Sequence, residues 1–503
     1  MDFKAGLELM RFTSIGLGAI MRRVHSRSDA ERFLTDALGR LPGAPAKMAQ
    51  LLGMRGDNEV TAPEPMPLDL VKSLITQDAP RLAAELEFIS PWAKAASLGQ
   101  AHQARLKSGE LVAIKIQYPE VAASVASQIE AVFGLTSFSP AKRYEFDADG
   151  VRDFLRTKLL DETHYEREAS IQARFYDRYQ GSSVVVPKIF KEFSGPNILT
   201  QSWEDSIPIK EFARKEAYQE KSNAANLLTS WMFDSAFGLQ VMHADLHPSN
   251  FGFRRDDGQT KLVIYDFGAT IDLDISRASF LYHWVIGTEE MNLLKVKAAL
   301  QALGFCPNKL SPIESRLLDI SRVLLKPLLC VEGPWLAADW EVQDELNRIL
   351  GADKWWLRTA GPSWFLYLMR SVQGWHHALQ LLAADVALGP VWSKWRETLR
   401  IASAVYPIHV DQDIVLDDSP KKMIAQSLRI KIVEASEELV DLTMPSRALE
   451  NLQDLIPPHV LANCKEQGID VERICGLALA DNGRPQNLFE LQSNGRFYRV
   501  WLE

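Results

Sequence analysis

The chain has 503 residues, more than one ordinary hydrophobic core organises, so about two to four domains or lobes are expected. A hydrophobic fraction of 47% beside 24% charged residues is that of a soluble globular protein, and a formal net charge of −9 argues against a general nucleic-acid binder, which presents a basic face. The four cysteines (Cys306, Cys330, Cys464, Cys475) lie far apart without a C-x-x-C pair, which points away from disulfides or zinc and toward a reducing compartment, the cytoplasm or an organelle matrix.

In chain order, residues 1–55 read as helices broken near Pro42 and Pro45, and the segment to residue 67 is Pro-rich linker. Phe3, Leu7, Met10, Ile15 and Ile20 line one helical face beside Arg11, Arg22 and Arg23. Packing on the main body is the first reading of that face, and peripheral membrane contact the second. The N-terminus, with Asp2 and Glu8, lacks the apolar region of a secretory signal.

Residues 68–90 read as helical. A small-residue turn at Ala95 leads into a strand, Lys107-Ser-Gly-Glu is a hairpin turn, and Leu111-Val-Ala-Ile-Lys-Ile-Gln is a strand rich in β-branched residues. Residues 120–180 read as helical, with Tyr165 to Phe175 on one long helix. Val184–Phe193 and Asn197–Trp203 read as two more strands, which makes a small, mostly antiparallel sheet.

After Lys210 helices dominate to about residue 455, interrupted by 243–272 and by the stretch Tyr406–Asp418. No run reaches the ~18–20 apolar residues of a spanning helix. The segment Trp364 to Leu388 carries Arg370, Gln373, His376, His377 and Asp385 and reads as a buried amphipathic helix. His376 and His377 are adjacent, point to different helix faces, and read as packing residues rather than a metal pair. Asn482-Gly483 and Asn494-Gly495 each separate strand-like runs (Gly476–Ala480, Leu488–Gln492, Phe497–Leu502), which predicts a terminal β-meander.

Four features supply the parts that phosphoryl transfer needs, in order: a held triphosphate, charge neutralised by Mg²⁺ and lysine, and an oriented acceptor. Lys115, in Val112-Ala-Ile-Lys, shares a strand face with Ala113, whose small side chain leaves room for adenine. An acidic partner for Lys115 is expected on the following helix. Glu168 is the first choice, with Glu166 and Glu162 as rivals. His243-Ala-Asp-Leu-His-Pro-Ser-Asn has the spacing of a kinase catalytic loop, with Ala244 in place of arginine. Asp245 would accept the acceptor's proton or orient water, and Asn250 would offer its carbonyl oxygen to Mg²⁺. Tyr265-Asp-Phe-Gly-Ala-Thr follows the strand Lys261–Tyr265, and Asp266 would bind the metal bridging the phosphates.

Together these residues resemble the ABC1/UbiB/ADCK (AarF-type) family of atypical, protein-kinase-like proteins over roughly residues 40–400. Ala95-Ala96-Ser97-Leu98-Gly99-Gln100 is similar to that family's alanine-rich loop, which stands where ordinary kinases carry a glycine-rich one. The resemblance implies that Ala95, Ala96, Ser97 and Gly99 cover the phosphates and that protein-kinase activity is low. Lys47-Met-Ala-Gln50 resembles the Lys-x-Gly-Gln motif, implying that Lys47 and Gln50 guard the acceptor pocket from an N-terminal extension. Asp161-Glu162-Thr-His164 resembles the stretch carrying Glu-x-Asp, which adds Glu162 to that guard. Ala49 replaces the motif glycine, and His164 replaces the aspartate with a group that is neutral or cationic near neutral pH.

The fold class expected is α+β and bilobal, protein-kinase-like. An N-terminal helical extension (1–67) precedes a β-rich lobe with inserted helices (68–205), a helical lobe carrying the catalytic loop (206–455) and a C-terminal β appendage (456–503). The expected cofactors are ATP or ADP with Mg²⁺. The resemblance implies an ATPase or small-molecule kinase that supports quinone or isoprenoid-lipid biosynthesis, with an isoprenoid lipid or quinone precursor as partner. A nucleotide-regulated pseudokinase is the second reading. A protein kinase is third, set back by the lack of Ala-Pro-Glu after Asp-Phe-Gly, and an aminoglycoside-type kinase is a fold-level alternative.

Overall fold

The computed structural model describes residues 65–95, 98–119, 148–329, 332–410, 425, 427–434, 437–480, 484–493 and 495–503. It opens with two helices, Leu68–Asp78 and Pro80–Glu85. The second begins on a proline, whose missing N–H is no loss in a first turn. Helix was expected to residue 90 but ends at Glu85, where β1 (Leu86–Ala95) begins. The aromatic and β-branched residues Phe88 and Ile89 favour a strand, and Pro91 removes a donor that a helix would need. The pairing of β1 with β2 (Gly99–Leu106) slips between Ile89 and Ala93, around that proline.

β2 and β3 (Leu111–Gln117) form the expected hairpin, with Gly109 at φ 88° in its turn. The Val184–Phe193 segment, expected as a strand, contains only β4 (Val184–Val185), an isolated bridge at Ile189 and a 3₁₀ turn at Lys191–Phe193. Pro187 lies in its middle and cannot join a ladder. β5 (Ile198–Ser202) completes a four-stranded antiparallel sheet in the order β1-β2-β3-β5.

The two faces of this sheet differ. Val112, Ile114, Ile116, Ala104 and Leu106 pack on Val71, Ile75 and Leu82 of the opening helices. Alternation sends Ala101, Ala113 and Lys115 to the opposite face. That face meets the helix Tyr165–Tyr179, where Leu199 of β5 packs on Tyr165 and Ala169. A preceding helix spans Ala148–Asp161.

The larger body starts at β6 (Ile207–Pro208), followed by the helices Ile209–Lys215 and Tyr218–Phe237. Then come β7 (Val241–His243), β8 (Phe251–Asp256), β9 (Gln259–Ile264) and β10 (Thr270–Asp272). β8 and β9 form a hairpin in a sheet ordered β4-β9-β8-β6, and β7 pairs with β10. Helices from Ile275 to Val405 complete the body. Trp231, Trp375, Trp392, Phe251, Phe253 and Phe267 are buried in its core. The tryptophans therefore serve as helix packing, Trp335 stacking on Trp375 at 5.6 Å between ring centroids. The expected amphipathic helix runs from Ser363 to Leu382.

The C-terminal part departs from expectation at two places. Residues 427–445, expected helical, are β11 (Ser427–Glu434) and β12 (Glu437–Pro445). Leu428, Ile430 and Ile432 alternate with Arg429 and Lys431 at the strand period of two. Gly476–Ala480, expected as a strand, ends the helix Val471–Ala480, whose start is capped by Asp470 accepting from the Arg473 N–H at 3.0 Å. Its Leu and Ala residues are strong helix formers. β13 (Gln486–Ser493) and β14 (Arg496–Leu502) form the hairpin expected at Asn494-Gly495, with Gly495 at φ 76°. The sheet order is β12-β11-β14-β13, and it has its own core of Leu428, Cys464, Phe489, Leu491 and Val500.

The architecture is α+β. A small antiparallel sheet faces a helix-rich body, with the catalytic-loop segment on the body side, the bilobal arrangement of a protein-kinase-like fold. Among the described residues, no helix is long and apolar enough to cross a membrane.

Candidate nucleotide site between the two lobes

Lys115 reaches Glu168 at 2.5 Å and Asp266 at 3.6 Å. Of the three glutamates considered, Glu168 is the one that meets it. Glu166 is exposed on the same helix, and Glu162 precedes that helix. Burial alone would lower the Lys115 pKa, but Asp266 and Glu168 together outweigh burial and raise it, so the ammonium stays charged. Burial raises the Glu168 pKa, and Lys115 offsets this only in part, with Asp266 adding to the rise. Glu168 also accepts from the Phe267 N–H at 3.5 Å, which ties the ion pair to the Asp-Phe-Gly turn. Phe267 is fully buried against Phe175 of the Glu168 helix, 4.8 Å between ring centroids. The Asp266 side chain remains 42% exposed.

Two ladders fix the opposite wall. Pairing of β7 with β10 sets His243 opposite Thr270, and the Ala244 N–H donates to Ala269 O at 2.9 Å. His243 Nε2 lies 2.5 Å from Asp266 O, and its Nδ1 accepts from the Asp245 N–H at 3.2 Å. In the β8–β9 hairpin Phe251 pairs with Ile264, and the Tyr265 N–H donates to Asn250 O at 3.0 Å. This register places Asn250 one residue before β8 and Asp266 two residues after β9, at the same end of the hairpin. Asn250 is held by its Nδ2 donating to Asp245 O at 3.1 Å, and its Oδ1 accepts from Ser249 Oγ at 3.2 Å.

An amide oxygen and a carboxylate are hard donors suited to Mg²⁺, which takes one or two protein ligands and completes its shell with water and phosphate. Among the described residues no group of three or more His, Cys, Asp or Glu forms a closed cage. Asn250 and Asp266 therefore fit a cation that arrives with a phosphate ligand.

Two residues join the site that its motifs do not contain. Arg370, on the Ser363–Leu382 helix, donates from Nη2 to Asp245 Oδ1 at 2.6 Å and from Nε to Ala244 O at 3.1 Å. The guanidinium thus comes from a distant helix to a loop that has alanine where kinases carry arginine. Burial would lower the Arg370 pKa, and Asp245 foremost, with Glu162, raises it. On the next residue, Ser371 Oγ donates to His243 O. One turn on, an added Cβ at Gly374 would stand 2.8 Å from Leu246 Cβ and 3.0 Å from its carbonyl oxygen. Only glycine lets this helix lie so close to the catalytic loop.

The second is Lys94 of β1, whose ammonium donates to Ser249 O at 2.7 Å and lies 5.9 Å from the Tyr265 ring centroid. Burial lowers its pKa, Asp266 raises it, and the charge on Lys115 lowers it again.

Of the residues of the alanine-rich loop, Ala95 ends β1 and Gly99 starts β2, while Ala96 and Ser97 lie outside the described residues. A Cβ on Gly99 would stand 2.4 Å from Ile116 O, so this end of the loop requires glycine. Ala113 sits on the same face as Lys115, opposite Gln103 and Gln201. Lys47 and Gln50 also lie outside the described residues. His164 is exposed at the start of the Glu168 helix and makes no side-chain capping bond. His376 lies 2.7 Å from Ala337 O and packs against Trp340, a core role.

A lysine–glutamate pair facing an Asp-Phe-Gly turn, with an aspartate and asparagine on the neighbouring loop, defines the class as kinase-like. Residues 64–300 match the model of the ABC1 atypical kinase-like domain, and the chain carries a domain of that family. It is 29% identical over 266 residues to the atypical kinase COQ8B, mitochondrial, of Danio rerio, covering 49% of this chain and 41% of that protein. It is 27% identical over 327 residues to the atypical kinase COQ8, mitochondrial, of Schizosaccharomyces pombe, covering 59% of this chain and 53% of that protein. The matches thus span about half the length of these relatives. A solved structure of Rv3197 with erythromycin, from Mycobacterium tuberculosis, is similar with a TM-score of 0.48 at 21% identity, over 74% of this chain and 96% of that one.

Proposed function

We propose that this protein binds Mg-ATP or Mg-ADP between Lys115, Asn250 and Asp266 and acts as an ATP-dependent phosphotransferase or ATPase. The observation that carries the reading is the Lys115 ammonium held between Glu168 and Asp266, at 2.5 and 3.6 Å. That arrangement keeps one cation charged and aimed where phosphates would lie. Bound magnesium would neutralise the phosphate charge, with Asn250 and Asp266 as its protein ligands. Asp245 would orient the acceptor. Its backbone is held by His243, and its carboxylate by Arg370.

The resemblance to the ABC1 family favours a small isoprenoid-lipid or quinone precursor as acceptor, in the cytoplasm or an organelle matrix, reached through peripheral contact with a membrane. The segment bearing Lys47 and Gln50, with Glu162, would guard that pocket.

A second reading is a nucleotide-regulated binding module without turnover. It is favoured by Arg370, which engages one oxygen of the carboxylate that a base would use. ATP turnover by the purified protein, with and without lipid vesicles and quinone-precursor mimics, separates the two. An Asp245→Asn variant that binds nucleotide but no longer releases ADP supports catalysis. Unchanged residual turnover in Asp245→Asn sinks the catalytic assignment of Asp245.

A further inference from the structure

The register of the small sheet puts a second lysine on the nucleotide face. Lys94 of β1 pairs with Ala101 of β2, and Ala101 pairs with Lys115 of β3. Residues directly opposite one another in a sheet point to the same side. Lys94 and Lys115 therefore flank one small side chain, with backbones two strand spacings, about 10 Å, apart. The two stems rise from the same surface with nothing larger than an alanine methyl between them.

The surroundings of the two ammonium groups differ. Lys115 is locked by Glu168. Lys94 feels the charges of Asp266 and Lys115 and touches a backbone carbonyl and an aromatic ring, Ser249 O and Tyr265. Each of these contacts immediately precedes one of the residues suited to magnesium, Asn250 and Asp266. The Lys94 ammonium thus stands beside the two residues suited to magnesium. An ammonium has three donors, and one is used by Ser249. Ordinary kinases cover this region with backbone amides of a glycine-rich loop, which this chain replaces with alanines.

We propose that Lys94 is a second phosphate-binding cation of this site, donating to the terminal phosphate of a nucleoside di- or triphosphate while Lys115 holds the inner phosphates. The inference rests on the nucleotide reading above and adds a residue that its motifs do not contain. It also distinguishes the ligand chemistry, because a nucleoside without phosphates gains nothing from Lys94.

Calorimetric titration of the full chain with ATP, ADP and adenosine, each with magnesium, tests it in the wild type, Lys94→Met and Lys94→Arg. Methionine keeps the apolar stem and removes the charge. Loss of one charge-assisted hydrogen bond is expected to weaken ATP and ADP by about tenfold or more in Lys94→Met. Adenosine binding stays unchanged, and arginine recovers part of the lost affinity. Unaltered ATP and ADP affinity in Lys94→Met overturns the Lys94 assignment alone. Equal weakening of adenosine and ADP also overturns it, since Lys94 would then only fasten the two lobes through Ser249. A wild type that binds neither ATP nor ADP refutes the nucleotide reading itself, and the assignment with it.

Discussion

The Arg370–Asp245 pair offers the sharpest test of how the site is held together. Both side chains are largely buried, 15% and 11% exposed, and their charged atoms stand 2.6 Å apart. With charge centres roughly 4 Å apart and an effective dielectric of about 20, their gross attraction is about 4 kcal/mol. Desolvation of two ions offsets much of this, so the pair adds little over an apolar substitute. Removing one partner is different, because it strands the other charge. Arg370→Ala leaves Asp245 buried without its guanidinium and takes a donor from Ala244 O, which should destabilise the body by about 3–5 kcal/mol. In an Asp245→Asn background no stranded charge remains, and the same substitution should cost only about 1–2 kcal/mol. Urea unfolding of the four proteins of this double-mutant cycle, followed by tryptophan fluorescence of the helical body, reads the difference. An equal cost in both backgrounds, or a cost below about 1 kcal/mol in the wild type, would show that the pair behaves as a solvated surface contact and refute the reasoning.

Two further predictions concern what positions these groups. Gly374→Ala inserts a methyl group into Leu246, at 2.8 Å from its Cβ, and should cost about 1–3 kcal/mol. Nucleotide affinity should change little while turnover falls, because the catalytic loop shifts and the Lys115 pair does not; isothermal titration beside an ADP-release assay checks the split. Asp234 accepts from Arg178 at 2.8 Å and Tyr179 at 2.9 Å. Burial would raise its pKa, but the hydrogen bonds from Arg178 and Tyr179 prevail and depress it. A depressed carboxyl stabilises the folded state above its unfolded value and loses that contribution as the pH falls toward the folded one. Asp234→Asn should therefore be clearly less stable than wild type near pH 6, with the gap closing below the model-compound value of 3.8. A constant difference in denaturation midpoint across that range would contradict it.

The parts of the site legible in the sequence are those whose geometry is set locally. Lys115 stands on a strand whose alternation alone assigns its face. Asp245, Asn250 and Asp266 flank a hairpin short enough for their neighbourhood to follow from spacing. Glu168 was one of three choices because helix position narrows a partner without fixing the tilt of the helix against the sheet. Tertiary packing chose it, through Phe175 on Phe267 and Leu199 on Ala169. The strands at 427–445 carried a legible alternation that the helical surroundings masked. In the Gly476–Ala480 run, a glycine and small apolar residues suit either state until the Asp470 cap and the packing of Cys475 and Ala478 decide it.

Arg370 is not legible as a site residue because nothing near it in sequence bears chemistry, and Lys94, although it precedes the alanine-rich loop, belongs to no motif. Each nonetheless interrupts a pattern. Arg370 interrupts the apolar run Trp364 to Met369, and Lys94 interrupts a run of alanines. Both depend on a small residue that lets backbones or side chains approach, Gly374 for the arginine helix and Ala101 between the two lysines. A glycine in the interior of a helix sacrifices about 1 kcal/mol relative to alanine unless packing returns it. Gly374 is thus a mark, readable before any coordinates, that something large lies against that helix. What lies there is the loop bearing Asp245, and the charged residue one turn earlier is the one able to meet it. The kinase-like loop that lacks its own arginine and the helix glycine are two halves of a single packing decision, in which the guanidinium enters from the body through the space that Gly374 leaves beside Leu246.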